Sequence, residues 1–446
     1  MSDTRSDLGN AERFVGAHGN VVRYCPPASR WLVWDTNRWR WDDTDLVVTL
    51  AQDTVRGMLH EALAIEDNLK RQAHATHALR SHARGRIDAM LSLAGPLVAV
   101  RPDELDARPQ LLNVANGTLD LATNALAPHD PDALITKLAP AVYDARAKCP
   151  NWTAFLNDIT SGNRDMAGYL QRAVGYSLTG ETLEHVLFML YGSGCNGKTT
   201  FIEALRNVFG DYARAADFAT FIQHRSPSAP RNDLAMLRGA RFVTAAESDD
   251  GGKLDESFVK QVTGGDKVTA RFLYSEHFEF RPEFKLWLST NHKPTIHGTD
   301  DGIWRRIRLL PFTVRIPDSK IDRHLPEKLK AESSGILRWA LDGLADYRER
   351  GLDEPAIVLN ATKAYRADED LIGRFLAACC SVGTSTQIQA RALYNAYLRW
   401  AGTNGEPVLD ERKFSRAMSE RGIQGGRMTA GRFWTGISLN VGCRVM

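Results

Sequence analysis

The run Gly192-Ser193-Gly194-Cys195-Asn196-Gly197-Lys198-Thr199 carries the strongest chemical signal in the chain. It satisfies every fixed position of G-x-x-x-x-G-K-[ST]. Glycines at these positions let backbone N–H groups turn inward around phosphate oxygens. A helix starting at the end of the loop adds the partial positive charge of its N-terminus. In such a loop a lysine reaches the β- and γ-phosphates of a nucleoside triphosphate, and the hydroxyl beside it ligates Mg²⁺. Lys198 and Thr199 are therefore the candidate phosphate and metal contacts. Gly192, Ser193, Gly194, Cys195, Asn196, Gly197 and Thr200 complete the cradle, and ATP with Mg²⁺ is the expected ligand.

Phosphoryl transfer to water needs more than a cradle. A carboxylate must take the water's proton, a polar group must orient the water, and a cation must meet the charge that develops. Three later segments offer these groups in order. Arg241-Phe-Val-Thr-Ala-Ala246 ends at Glu247, a strand-end carboxylate suited to polarising water and helping to hold Mg²⁺. Phe284-Lys-Leu-Trp-Leu-Ser-Thr290 ends at Asn291, whose amide can orient water. Gly302-Ile-Trp-Arg305-Arg306 then supplies guanidinium groups, which can act across a subunit boundary.

These residues need an α/β frame. Residues 186–191 form an apolar run fitting a buried strand, and FIEALRNVF after the loop is amphipathic. Over 186–315 strand-like runs alternate with helical patterns, the form of a largely parallel sheet. Residues 151–185 read as two helices, a collar before the core. Residues 1–150 read as α+β: a Trp-rich hairpin at 30–43 (Trp31, Trp34, Trp39, Trp41), helices over about 45–95, and short strands at 111–130 broken by Asn116-Gly117. The four tryptophans suit either base stacking or a small hairpin core. Residues 316–446 read as helical, closing with amphipathic helices at 390–402 and 411–422 and a ribbon over 427–439 turning at Gly431, the order of a winged helix. A length of 446 residues fits roughly three domains at about 150 residues each.

Composition excludes more than it selects. Hydrophobic residues at 43% and charged residues at 25% rule out disorder and collagen-like repeats. No stretch reaches the ~20 apolar residues of a membrane span, and the polar N-terminus lacks a secretory signal's apolar core. The 6 cysteines have no C-x-x-C spacing, so neither a zinc site nor a disulfide framework is indicated and a reducing cytoplasm is expected. A net charge of +2 leaves nucleic acid neither favoured nor excluded.

The order of these motifs resembles superfamily 3 helicases, AAA+ ring motors, and most closely the phage/plasmid primase-helicase family related to the poxvirus primase-helicase. The resemblance spans roughly residues 100–440: LLNVANGTLDL, YLQRAVGYSLTG, GSGCNGKTTF, the Glu247 segment, VTGGDKVTARFLY, FKLWLSTNHKP and IWRRIRLLPF. It implies a homo-hexamer that moves along single-stranded DNA, usually 3′ to 5′, with ATP hydrolysed between subunits. Arg306, or its neighbour Arg305, would then act on the adjoining subunit's nucleotide, with Arg306 preferred because it directly precedes the next strand. The family's DNA-gripping hairpin falls at about 267–282, where Lys267 and Arg271 would contact phosphates and Tyr274 and His277 would lie near the tip. Many viral relatives carry adjacent carboxylates at the second motif. Here Ser248 follows Glu247, leaving Asp249 or Asp250 for the second role.

The family's larger members also carry a primase-polymerase domain. The first 150 residues are too few for it, so primer synthesis is not expected of this chain and a separate primase or polymerase is an expected partner. In the C-terminal ribbon and helices, Arg412, Lys413, Arg416, Arg421, Arg427 and Arg432 are candidate contacts to duplex DNA. The sequence thus points to an ATP-dependent helicase of phage, prophage or plasmid replication in a bacterial cytoplasm. The rival is an ATP-switched origin-melting or initiator protein without processive unwinding.

Overall fold

The computed structural model describes residues 5–223, 232–247, 252–271, 278–296, 298, 301–428, 431–440 and 443. The N-terminal third opens with α1 (Asp7–His18), capped by the Ser6 side chain. A three-stranded antiparallel sheet follows: β1 (Val22–Cys25), β2 (Arg30–Trp34) and β3 (Trp39–Trp41). The expected Trp hairpin is β2–β3. Trp39 is fully buried and its indole donates to Pro131 O at 2.8 Å. The expected helical stretch resolves into α2 (Leu46–Leu63), α3 (Asn68–Ser81) and α4 (Arg84–Ala94). α2 and α4 pack with α1 around Phe14, Ala51, Val55 and Met90, and α3 joins α1 through Asn10, which bonds Ser81 and His77. A second antiparallel sheet holds β4 (Leu111–Val114), β5 (Gly117–Asp120) and β6 (Ala125–Ala127); its first turn is Ala115-Asn116, with Gly117 already paired to Val114 as the first residue of β5.

Two helices come next, α5 (Pro150–Ile159) and α6 (Arg164–Leu178). The central sheet then collects β7 (Leu187–Tyr191), β8 (Ala213–Asp217), β9 (Phe242–Ala246), β12 (Lys285–Thr290) and β13 (Ile307–Pro311). All five are parallel, in the order β13-β7-β12-β9-β8. Near-continuous apolar runs such as LFMLY suit strands covered on both faces. One face packs α7 (Lys198–Phe209) through Phe201, with the Trp287 and Phe188 rings tilted at 30° and 4.4 Å apart beneath it. The other face covers α8 (Asn232–Ala235) and α9 (Glu256–Thr263). The expected hairpin is present as β10 (Val268–Ala270) paired antiparallel with β11 (Phe278–Phe280). The short α10 (Asp301–Trp304) precedes β13.

The C-terminal region divides elsewhere than the sequence suggests. α11 (Leu325–Ala331) and α12 (Ser333–Arg350) join the largest core together with α5, α6 and α7. α6 and α12 cross with Gly175 on the backbone of Gly343 and Leu344, a closeness that only glycine allows. Arg172, 2% exposed, fastens them by donating to Leu352 O and Asp353 O at 2.9 Å and pairing with Asp346 at 2.9 Å. The division drawn at residue 316 therefore falls inside a continuous core.

After α13 (Ala356–Glu369) a separate core begins, formed by α14 (Leu371–Cys379), β14 (Cys380–Gln389), α15 (Ala390–Asn404), α16 (Glu411–Glu420), β15 (Gly425–Met428) and β16 (Gly431–Leu439). The two helices and the ribbon lie where expected. β14 corrects the all-helical reading of 316–390. Its sequence, CSVGTSTQIQ, lacks an apolar alternation, and pairing with β16 is what makes it a strand.

Candidate functional site

Parallel strands end at one edge, so neighbouring strands bring their next residues together. In the register, Thr290 pairs with Tyr191 and Ser289 with Ala246. The residues just beyond, Gly192, Asn291 and Glu247, therefore share the C-terminal edge of β7, β12 and β9. Glu247 N donates to Ser289 O at 2.9 Å, fixing the height of the carboxylate.

The loop between β7 and α7 is built on two glycines. Gly192 lies on Phe312 O and Asn196 Nδ2, with no room for a side chain. Gly197, the N-cap of α7, has φ +84°, and a Cβ there would lie 2.6 Å from Ile159 Cγ2. The Asn196 amide braces the turn by donating to Ser193 O (2.6 Å) and Phe312 O (2.9 Å). Ile316 N donates to Cys195 O at 2.8 Å. With its underside tied to 312–316, the loop leaves Ser193, Gly194, Cys195 and Thr199 exposed, and Thr200 is half-buried.

Lys198, 5% exposed, donates to Gly192 O, to Asn291 Oδ1 at 3.1 Å and to Asn196 Oδ1 at 3.4 Å. Burial pushes its ammonium pKa below the ordinary lysine value, and the Glu247 charge partly offsets this. Glu247 Oε2 accepts from Thr290 Oγ1 (2.5 Å), Asn291 N (2.8 Å) and His292 N (2.9 Å). The geometry thus brings Lys198, Asn291 and Glu247 into one network. Thr290 and His292 belong to it and were missed. The signal available was a polar Ser-Thr at the end of an otherwise apolar strand. Thr199 and Glu247 present oxygen donors, the chemistry Mg²⁺ prefers, and a Mg²⁺ bound with a nucleotide takes its other ligands from phosphates and water.

The two arginines differ in burial. Arg306, 7% exposed, donates from Nε to Thr263 Oγ1 (3.1 Å) and from Nη1 to Gly302 O (2.5 Å). Its guanidinium thus hydrogen-bonds within its own chain. Arg305 is the exposed one. On the hairpin, Lys267 is exposed and pairs with Glu279 at 3.4 Å, while Arg271 is half-buried at the base of the tip. Tyr274, His277, Ser248, Asp249 and Asp250 lie outside the described residues. In the C-terminal core, Arg412, Lys413, Arg416, Arg427 and Arg432 are exposed. Arg427 and Arg432 face each other across β15–β16. Arg421 departs from the expected set because it is tied to Asp370.

No helix among the described residues is long and apolar enough to cross a membrane. Residues 11–161 match the family described as "D5 N terminal like", and residues 190–306 match a family of unknown function. A protein of Acanthamoeba polyphaga mimivirus named "Putative helicase" is 29% identical over 326 residues, covering 67% of this chain and 34% of that protein. A protein of African swine fever virus named "Putative primase" is 26% identical over 332 residues, covering 67% and 34%. The chain thus spans about a third of the length of these relatives. These matches are to viruses of eukaryotes, and they do not point to the bacterial host expected from the sequence. Among solved structures, the NrS-1 C-terminal region aligns with a TM-score of 0.52 over 96% of this chain and 98% of its own, at 10% identity, a likeness of fold.

Proposed function

We propose that this chain is an ATP-driven DNA helicase motor of the AAA+ superfamily 3 type, a reading supported by its similarity to the D5 N terminal like family over residues 11–161 and to viral proteins named putative helicase and putative primase. In this reading it acts in viral, phage or plasmid replication as a homo-hexameric ring on single-stranded DNA at the fork. The observation that carries this reading is the convergence of three strand ends: Lys198 on the Asn291 side chain at 3.1 Å, and Glu247 on the Asn291 backbone at 2.8 Å.

ATP is the substrate in this reading. Its phosphates displace the Gly192 and Asn291 oxygens now on Lys198, and the exposed amides of 193–195 close around them. Mg²⁺, held by the Thr199 hydroxyl with Glu247 close by, would supply charge neutralisation between the phosphates. Glu247 takes the proton of the attacking water, and Asn291 orients that water. Arg305, exposed beside the sheet edge, meets the developing charge on the neighbouring subunit's nucleotide. The β10–β11 hairpin then carries Lys267 and Arg271 along the DNA backbone. The exposed Arg412, Lys413 and Arg416 on α16, with Arg427 and Arg432 on the ribbon, support a winged-helix contact to duplex DNA. Primer synthesis is assigned to a separate chain or domain.

The test is ATP turnover with and without single-stranded DNA, together with strand displacement from a forked duplex. Turnover stimulated by DNA and displacement that vanish in Lys198→Ala are expected. Full turnover indifferent to any polynucleotide would sink the reading.

A further inference from the structure

The N-terminal helical layer contains a cavity of about 590 Å³ lined by Arg5, Leu69, Gln72, Ala73, Thr76, His77, Arg80, Ser81 and Arg86. It is remote in sequence from the phosphate loop, and the motor reading does not use it. Two features stand out. First, the lining is cationic. Arg5, Arg80 and Arg86 converge on it, and the nearby acid, Asp7, pairs with Arg86 at 2.7 Å. Arg80 has no ion-pair partner among the described residues. Arginine suits phosphate because its planar fork meets two oxygens at once.

Second, the wall is ordered and polar at its back. Asn10, 1% exposed, donates to Ser81 Oγ at 3.0 Å and holds the His77 ring at 2.9 Å through its carbonyl oxygen. One face of α3 presents Leu69, Ala73, Thr76 and Arg80 at helical spacing, so apolar surface runs into a guanidinium. Leu69 is 80% exposed. A bare phosphate would fill little of 590 Å³, a volume in the range that takes small organic ligands. An apolar shelf beside a cationic end matches a nucleotide unit, sugar and base on the shelf and phosphate on the arginines.

We propose that this cavity is a second phosphate-binding site, taking a nucleotide unit of a single-stranded DNA. The identity of the ligand rests on the DNA-handling reading above; the cationic cavity does not. His77 serves as an internal gauge. Its ring faces Asn10, with His74, Arg13, Arg86 and Asp7 around it. Burial, followed by the charges of Arg13, His74 and Arg86, lowers its pKa, and Asp7 acts the other way. A phosphodiester bound beside it brings negative charge and must raise that pKa.

The experiment uses the full chain with labelled histidine, the His77 resonance being assigned through His77→Gln. Its pH titration is followed with an oligo-dT strand, with dTMP, and with inorganic phosphate. A His77 titration moved upward by the strand, and a move lost together with at least tenfold in strand affinity in Arg80→Glu, are expected. ATP turnover of Arg80→Glu without DNA should match the parent. A response to inorganic phosphate or dTMP with none to the strand overturns the proposal, as does no response to any of the three. If the strand still binds and stimulates turnover while His77 and Arg80→Glu are silent, only this site fails. If no strand binds anywhere, the motor reading fails with it.

Discussion

Replacing Glu247 by Gln separates what the carboxylate does for chemistry from what it does for the fold. Oε2 accepts three hydrogen bonds, from Thr290, Asn291 and His292, at 2.5, 2.8 and 2.9 Å. The three donors converge on one oxygen, so the glutamine oxygen takes that position and the amide nitrogen takes the place of Oε1, 3.9 Å from His292 Nδ1; Thr290 Oγ1 also reaches His292 O, and His292 N also donates to Thr290 Oγ1 at 3.1 Å. Every bond survives but loses its charge. Bonds to a charged group are worth about 1.5–3 kcal/mol and neutral ones about 0.5–1.5. The fold therefore loses about 1–1.5 kcal/mol per bond, or roughly 3–4.5 kcal/mol in all, with non-additivity lowering the sum. Nothing in the loop moves, so binding of a non-hydrolysable ATP analogue should stay within about fivefold. Proton abstraction disappears, a contribution of typically 10²–10⁴, or roughly 2.7–5.4 kcal/mol of barrier. Steady-state phosphate release and analogue binding, measured side by side, test both halves. Turnover above a tenth of the parent would remove Glu247 from the role of base. Loss of analogue binding would make its function structural, a brace for the end of β12.

Three further substitutions probe the surroundings. Arg305→Ala should abolish DNA-stimulated turnover with the unfolding midpoint unchanged, and mixing with Glu247→Gln subunits should restore part of the activity, because an interface that takes Glu247 from the first variant and Arg305 from the second is intact; no recovery at any ratio argues against a shared site. Arg306→Met should instead lower the midpoint, because it strips donors from Thr263 and Gly302, and a stable, inactive Arg306→Met would reverse this assignment. Lys285, 2% exposed, donates to the carbonyls of Thr179, Glu181 and Glu283, and burial holds its pKa well below the ordinary lysine value. Between that lowered value and 10.5 the unfolded chain binds more protons than the folded one, so stability rises with pH, by at most about 1.4 kcal/mol per unit. Chemical denaturation from pH 7 to 9.5 should show the parent gaining on Lys285→Met, and parallel curves would contradict the buried-amine account.

The parts of the site that could be read from sequence share a cause. Gly192, Gly197, Lys198 and Thr199 lie within eight consecutive positions, and the close approach of neighbouring atoms leaves room only for glycine at the first two. Glu247 and Asn291 were legible because parallel strands deliver their next residues to one edge, so strand ends alone fixed their neighbourhood. Thr290 was not. A strand-end hydroxyl serves equally as turn chemistry, and only the structure shows that it bonds the carboxylate of Glu247 just beyond β9. The strand β14 was hidden for a related reason, since its partner β16 lies some fifty residues on and its own pattern is too polar to announce a buried face.

Arg305 and Arg306 show where such reading stops. Adjacent residues in a turn before a strand point to opposite sides, and the sequence does not say which side is the interior. The structure decides it through Thr263. That residue ends α9, a helix whose C-terminus feeds the β10–β11 hairpin, and its hydroxyl receives the Arg306 Nε. Arg306 in turn directly precedes β13, and its carbonyl accepts from Leu187 N at the start of β7, the strand that carries the phosphate loop. Arg306 thus joins the start of β7 through its backbone carbonyl and the root of the hairpin through its guanidinium. That placement needs Arg306 inside the protomer, and it leaves only Arg305 to face outward.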